Sequence, residues 1–267
     1  MPDPVGDFSI IWPYLAVFVA AYLIGSIPFG LILTRIAGAG DIRKIGSGNI
    51  GATNVLRTGR RSLAALTLIL DAAKGALPVA LADHLLFRDQ AVLAGVGAIL
   101  GHMLPIYLIA SCKNGIPFAI REALLLVIGT GIALLGKGGA SLVGVAILAT
   151  STLFAWGGKG VATGLGVLIA ISPVVGILAC LTWLIVALIF RYSSLAAIAA
   201  FLGAPVFAWL LADTAIDNVF LSDPQRAEFA AFVALVVLIR HGGNMRRLLS
   251  GKEPRIGRKE EGGSPGT

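Results

Sequence analysis

The feature that most constrains this chain is a succession of long apolar runs. They cover Ile10 to Thr34, Ser62 to Ala82, Ala91 to Ala110, Ala123 to Gly136, Ser141 to Trp156, Val161 to Ile171, Val174 to Phe190, Leu195 to Ala212 and Ala227 to Ile239. Such runs must bury against one another or in lipid, and the charge content decides which. Of 267 residues, 57% are hydrophobic and only 13% charged, half the usual share of about 25%. With a mean hydropathy of +0.90, too few polar side chains exist to cover a water-exposed globule, so most of the protein has lipid as its solvent. A soluble enzyme, a DNA-binding domain and a disordered chain are excluded.

The net charge of +7 is not a nucleic-acid signature here, because the basic residues are confined to particular connections. With the N-terminus outside, the connections 35–61, 111–122, 157–160 and 191–194 and the segment from Arg240 onward fall inside, and they hold 17 of the 21 Lys and Arg. Arg88, Lys137 and Arg226 fall outside, and Lys74 lies within a span. That bias predicts a multi-pass membrane protein with its C-terminus in the cytoplasm. Residues 1–257 read as one membrane domain with seven core spans, and 258–267, rich in charge, Gly, Ser and Pro, as a disordered cytoplasmic tail. Val161 to Ile171 falls short of the roughly 20 residues a perpendicular helix needs, and Ser172-Pro173 breaks the chain after it. The two runs between 123 and 156 cross twice or not at all, because an odd number would invert everything downstream. A helical hairpin with Lys137 at its tip and a pair of re-entrant segments fit equally. Cys112 and Cys180 have no companions at metal-ligand spacing.

Three inner segments are oddly composed for connectors. Gly46-Ser47-Gly48-Asn49-Ile50-Gly51-Ala52-Thr53-Asn54-Val55-Leu56-Arg57 interleaves glycines with hydroxyl and amide side chains and ends in a guanidinium suited to phosphate. Taken alone it also reads as a flexible turn and helix cap. Gly157-Gly158-Lys159-Gly160 precedes a predicted helix, whose free amides and dipole favour an anion. Gly160 stands where a nucleotide-binding Walker loop needs Ser or Thr, so ATP is not indicated. The third segment, Arg240-His241-Gly242-Gly243-Asn244-Met245-Arg246-Arg247-Leu248-Leu249-Ser250-Gly251-Lys252-Glu253, closes the last span; on its own it also suits an anchor beside anionic lipid headgroups. Deeper in the chain, Asp71 and Lys74 are neighbours on one helical face and are expected to pair, equally as a structural ion pair or in support of the site, or Lys74 to snorkel. His102 lies near the inner end of its span, where it is either structural or helps to hold the site together.

Together with Gly25-Ser26-Ile27-Pro28-Phe29-Gly30, Asp71 to Val79, Gly101-His102, Pro105 and Arg191 to Ser194, these segments resemble one family. It is that of the bacterial membrane acyltransferases that make lysophosphatidic acid from acyl phosphate and glycerol 3-phosphate. The likeness runs in order over roughly residues 20 to 256. It implies an all-α integral membrane protein with a seven-helix core bundle containing short broken helices, and a cytoplasmic site that uses no cofactor and no metal. An inserted apolar segment, about 109–152, adds to this pattern and could form the extra hairpin. Carried over by position, Lys159, Ser47 and His241 are the expected catalytic residues. Asn49, Thr53, Asn54, Arg57, Gly158, Gly160 and Asn244 are the expected substrate-binding ones. The expected partners are glycerol 3-phosphate, acyl phosphate and membrane lipids, with no nucleic acid. Gly242 stands where the family usually has a basic residue. The competing expectation, from broken spans and glycine-started helices, is a membrane transporter of an organic phosphate.

Overall fold

The computed structural model describes residues 8–111, 125, 157–211 and 225–257. Among them the chain is helical: α1 (Phe8–Gly25), α2 (Phe29–Ile36), α3 (Ala52–Val55), α4 (Arg61–Leu85), α5 (Arg88–Met103), α6 (Val161–Ile171), α7 (Pro173–Phe190), α8 (Ser193–Leu210), α9 (Gln225–Arg240) and α10 (Gly242–Leu249), with 3₁₀ turns at Ile42–Lys44, Leu56–Thr58 and Ile106–Ser111. Five segments are long and apolar enough to cross a bilayer: Trp12–Ile36, Arg61–Leu85, Arg88–Leu108, Pro173–Phe190 and Ser193–Leu210. A sixth is made by α9 and α10 together, which meet at a bend of 62°. The seventh expected crossing, α6, has 11 residues. The expected extra hairpin and the expected disordered tail lie outside the described residues.

The break between α1 and α2 follows from local chemistry. Pro28 has no N–H to continue the ladder, and Ser26 Oγ turns back to donate to Tyr22 O at 2.7 Å. Pro173 begins α7 at the position where a missing N–H costs nothing, so the chain turns at Ser172 without strain.

Helix α5 is the axis of the bundle. Of its span, 83% is buried inside the protein, against 22% for α7. Its interior is built from small residues, Ala94, Gly95, Gly97, Ala98 and Gly101 among them, and small residues let membrane helices approach closely where no water is available to drive association. A methyl group on Gly101 would collide with Tyr22 O of α1, and one on Gly166 of α6 with Ala72 O of α4. Tyr22 completes the first contact by donating to Leu104 O at 2.6 Å. Helix α7 instead turns Ile185, Leu188 and Ile189 outward, a surface suited to acyl chains.

Candidate anion site at one end of the bundle

The first loop is organised by Asn54. Its side chain is fully buried. Its amide nitrogen lies 3.0, 2.9 and 2.8 Å from the carbonyls of Ile42, Ile45 and Asn49. Its carbonyl oxygen accepts from Ser47 N at 3.2 Å and, more weakly, from Ser47 Oγ at 3.4 Å. Asn54 is thus spent on folding the loop, and its contribution to a ligand is indirect, through the placement of Ser47. The loop rests on α2 because a methyl on Gly30 would collide with Ile50 O. Gly46, at φ +53°, lies against the guanidinium of Arg57. Ser47 and Thr53 are exposed, and Asn49 and Arg57 are half-buried. Asn49 Oδ1 is buried with no hydrogen-bond partner. Asp41, the one acid of this loop, is a staple: Arg43 at 2.6 Å and Arg35 at 3.1 Å hold its carboxyl well below the usual range, Arg43's hydrogen bond foremost.

The Gly-Lys loop docks on the end of α5. Gly157 N donates to Met103 O at 2.8 Å and Gly158 N to His102 O at 3.1 Å. Arg240, at the end of α9, reaches across to the carbonyls of Gly157 and Gly158 at 3.3 and 3.4 Å. Gly158 has no room for a side chain, since a methyl there would collide with His102 Nε2. Gly160 caps α6 at φ +78°, a left-handed conformation that favours glycine. The loop therefore presents Lys159 at a helix N-terminus. Burial pushes the Lys159 ammonium down to about 8; Glu253 opposes this, and the cations Arg247, Arg240 and Arg57 add to it. These charges, from three segments far apart in sequence, share one end of the bundle. The Nε of Arg240 and the Oγ1 of Thr163, both buried, have no hydrogen-bond partner.

At the start of α10, His241 is buried and its Nδ1 donates to Val237 O at 2.7 Å. That bond fixes the ring and leaves Nε2 for another partner. His241 and Lys159 lie within electrostatic reach of one another. Asn244 is occupied inside the protein: its amide donates to Glu253 at 2.6 Å. The same carboxylate accepts from Ser194 Oγ at 2.7 Å and Arg247 Nε at 2.8 Å. Burial would raise the Glu253 pKa, but the hydrogen bonds from Ser194, Asn244 and Arg247 outweigh it and hold it low. The segment after α10 is tied to the α7–α8 turn by Ile256 N donating to Arg191 O at 2.7 Å. Where the resemblance expects a basic side chain, a methyl on Gly242 would meet nothing within 4 Å.

Arg240 and Glu253 begin and end the third segment, and sequence reasoning gave neither a role at the site. The signal available was a cation and an acid flanking His241 and Asn244; each reads alone as an end-of-span anchor and a polar tail residue.

Fold and site together define a polytopic helical membrane protein that gathers Lys159, Arg57, Arg240 and Arg247 beside a helix N-terminus at one end of its bundle. The family model described as glycerol-3-phosphate acyltransferase matches residues 15–156 and 151–251. Proteins named glycerol-3-phosphate acyltransferase from Rhodospirillum rubrum and Mesorhizobium japonicum are 42% and 43% identical. The first match covers 96% of this chain and 99% of the relative, the second 90% and 95%. The crystal structure of PlsY (YgiH), an integral membrane glycerol 3-phosphate acyltransferase, is similar in its glycerol 3-phosphate form, with a TM-score of 0.66 at 31% identity over 92% of this chain and 96% of that one. Its lysophosphatidic acid form gives 0.65 at 30%. This chain belongs to the glycerol-3-phosphate acyltransferase family and is an integral membrane acyltransferase. Since the Rhodospirillum rubrum match spans nearly the whole chain, most of the apolar stretch 109–152 falls within the span shared with that relative.

Proposed function

We propose that the chain transfers a fatty acyl group from acyl phosphate to the 1-hydroxyl of glycerol 3-phosphate, giving 1-acylglycerol 3-phosphate and inorganic phosphate, as the first acylation of phospholipid synthesis. The observation that carries this reading is the convergence of Lys159, Arg57, Arg240 and Arg247 beside a glycine-opened helix end. Two phosphorylated reactants need such a surfeit of cations, and unpartnered donors such as Arg240 Nε are what an incoming anion satisfies. Arg57, with Ser47 and the surrounding loop, holds the phosphate of glycerol 3-phosphate. Lys159 and the free amides at the N-terminus of α6 hold the acyl phosphate.

An acyl phosphate is already a mixed anhydride, so positioning carries most of the catalysis. The glycerol hydroxyl oxygen attacks the acyl carbon, and the bond from that carbon to the phosphate oxygen breaks. The phosphate leaves with the bonding electrons and takes up the hydroxyl proton. His241, with Nδ1 committed to Val237 O, offers Nε2 to orient the attacking hydroxyl. Lys159 and the free amides at the start of α6 stabilise the charge that grows on the departing phosphate. Membrane lipids surround the bundle, and the acyl tail lies among its lipid-facing helices. The site and C-terminus face the cytoplasm and the N-terminus lies outside; the distribution of Lys and Arg supports this orientation.

The test is direct. Purified protein in detergent, given palmitoyl phosphate and glycerol 3-phosphate, produces lysophosphatidic acid and phosphate, while palmitoyl-CoA does not replace the donor. Absence of product from folded protein, or equal use of the thioester, overturns the reading.

A further inference from the structure

Behind the Gly-Lys loop lie three buried side chains, Asp71, Lys74 and His102, that the proposed reaction scheme does not use. In α4, Asp71 and Lys74 are 2% and 3% exposed, and Lys74 Nζ lies 2.8 Å from Asp71 Oδ1. The same ammonium donates to Ile27 O at 2.7 Å and sits 5.6 Å over the Phe29 ring, so it clasps the break between α1 and α2 at the residues where that break occurs. On its other side, Asp71 Oδ1 lies 3.9 Å from His102 Nδ1. The far edge of that imidazole, Nε2, is the surface against which Gly158 packs, and the His102 carbonyl accepts from Gly158 N.

Two apolar side chains could fill the space of Asp71 and Lys74 without removing any charge from water, and such replacements are often tolerated in protein interiors. They could not bind the Ile27 carbonyl, nor exert a directed field on an imidazole. The ion pair therefore does something that packing alone does not. It holds the first span's break through the Ile27 carbonyl and sets a carboxylate 3.9 Å from the ring that backs the Gly-Lys loop, where neither Asp71 Oδ1 nor His102 Nδ1 has a hydrogen-bond partner; the loop in turn carries Lys159.

We infer that Asp71, Lys74 and His102 form a buried positioning relay that sets the height and angle of the Gly157–Gly160 loop, and hence of Lys159, relative to the break at Ile27-Pro28. The inference rests on the assignment of that loop to phosphate binding. None of the three residues is a catalytic residue; each acts through Gly158.

The test compares full-length protein, purified in detergent, carrying Asp71→Asn with Lys74→Met, against the parent and Lys159→Ala. The double substitution leaves no unpaired charge behind, so the protein is expected to accumulate and to melt cooperatively. The expected result is a rise of at least tenfold in KM for one of the two phosphorylated substrates, whether or not kcat falls with it. A pair that merely holds helices together would shift the melting temperature and leave both KM values within twofold of the parent, which overturns the relay. Should the double variant not accumulate, His102→Gln, which keeps both charges, supplies the same measurement, and the same two outcomes decide it. Loss of activity in Lys159→Ala alongside unaltered KM values in the relay variants refutes the relay alone. Near-parental activity in Lys159→Ala refutes the assignment of the loop itself.

Discussion

The side-chain amide of Asn244 donates to the carboxylate of Glu253 at 2.6 Å, and through that carboxylate the last helix is joined to Ser194 at the start of α8. Hydrogen bonds to charged groups contribute roughly 1.5–3 kcal/mol each. Glu253→Ala leaves three donors without their acceptor and is expected to destabilise the protein by about 2–4 kcal/mol, read as a lower melting temperature in detergent. Because the folded-state pKa of Glu253 is lowered, its contribution is fully present above the unfolded value, roughly 4.3. It is lost as pH falls through the lower folded value. The gap between parent and variant should therefore stay constant from about pH 6 to 8 and narrow only in acid.

Lys159 is expected to govern the alkaline side of the activity profile. Its ammonium titrates near 8 in the folded protein, so the cation that grips phosphate is present below that pH and lost above it. In the free enzyme, kcat/KM should fall roughly tenfold per pH unit beyond that point. Lys159→Arg, with a guanidinium that stays charged, should abolish this limb even where it lowers the plateau. Lys159→Ala should reduce turnover at least tenfold at pH 7, about the worth of one charged hydrogen bond. A profile flat to pH 10 in the parent argues against the assignment.

Two glycines give opposite expectations. Gly158→Ala drives a methyl into His102 Nε2 and should raise KM for a phosphorylated substrate at least tenfold, a cost of about 1.4 kcal/mol in binding. Gly242→Ala enters open space at the start of α10 and should leave kcat and KM within twofold. Steady-state kinetics on both variants, at matched purity and melting temperature, make the comparison.

Asn54→Ala removes the group that gathers Ile42, Ile45, Asn49 and Ser47. Loss of activity is expected although the residue contacts no ligand in the proposed scheme. The accompanying sign is trypsin cleavage at Arg43, Lys44 or Arg57 in the variant under conditions where the parent resists. Lost activity with an intact, protease-resistant loop would instead argue that Asn54 itself meets substrate.

The helical spans were legible because run length and Lys/Arg placement are one-dimensional quantities. Val161 to Ile171 emerges as α6 with the same limits, and Ser172-Pro173 as the break after it. That the three polar segments would share one end of the bundle was legible for a similar reason, since the placement of Lys and Arg puts all three on the same side. What the sequence left open was the division of labour inside those segments. Asn54 and Asn244 carry amides that suit a ligand as well as a backbone carbonyl or a carboxylate, and only folding decides which partner arrives. Lys74 was open to pairing or snorkelling; it pairs, because the Ile27 carbonyl, 47 residues away, lies within reach. Glu253 looked like a tail residue because its partner Ser194 is 59 residues distant. Arg240 looked like an anchor because the carbonyls it serves lie 83 and 82 residues away.

The backbone bond between Met103 and Gly157 has a consequence for how this protein can be altered. It closes a ring: the chain leaves the catalytic end and returns to it at one fixed doorway, and the bond across that doorway is made by groups on either side of it. The end of α5 and the entrance to α6 are thereby latched to one another, so an alteration that displaces either is passed directly to its neighbour.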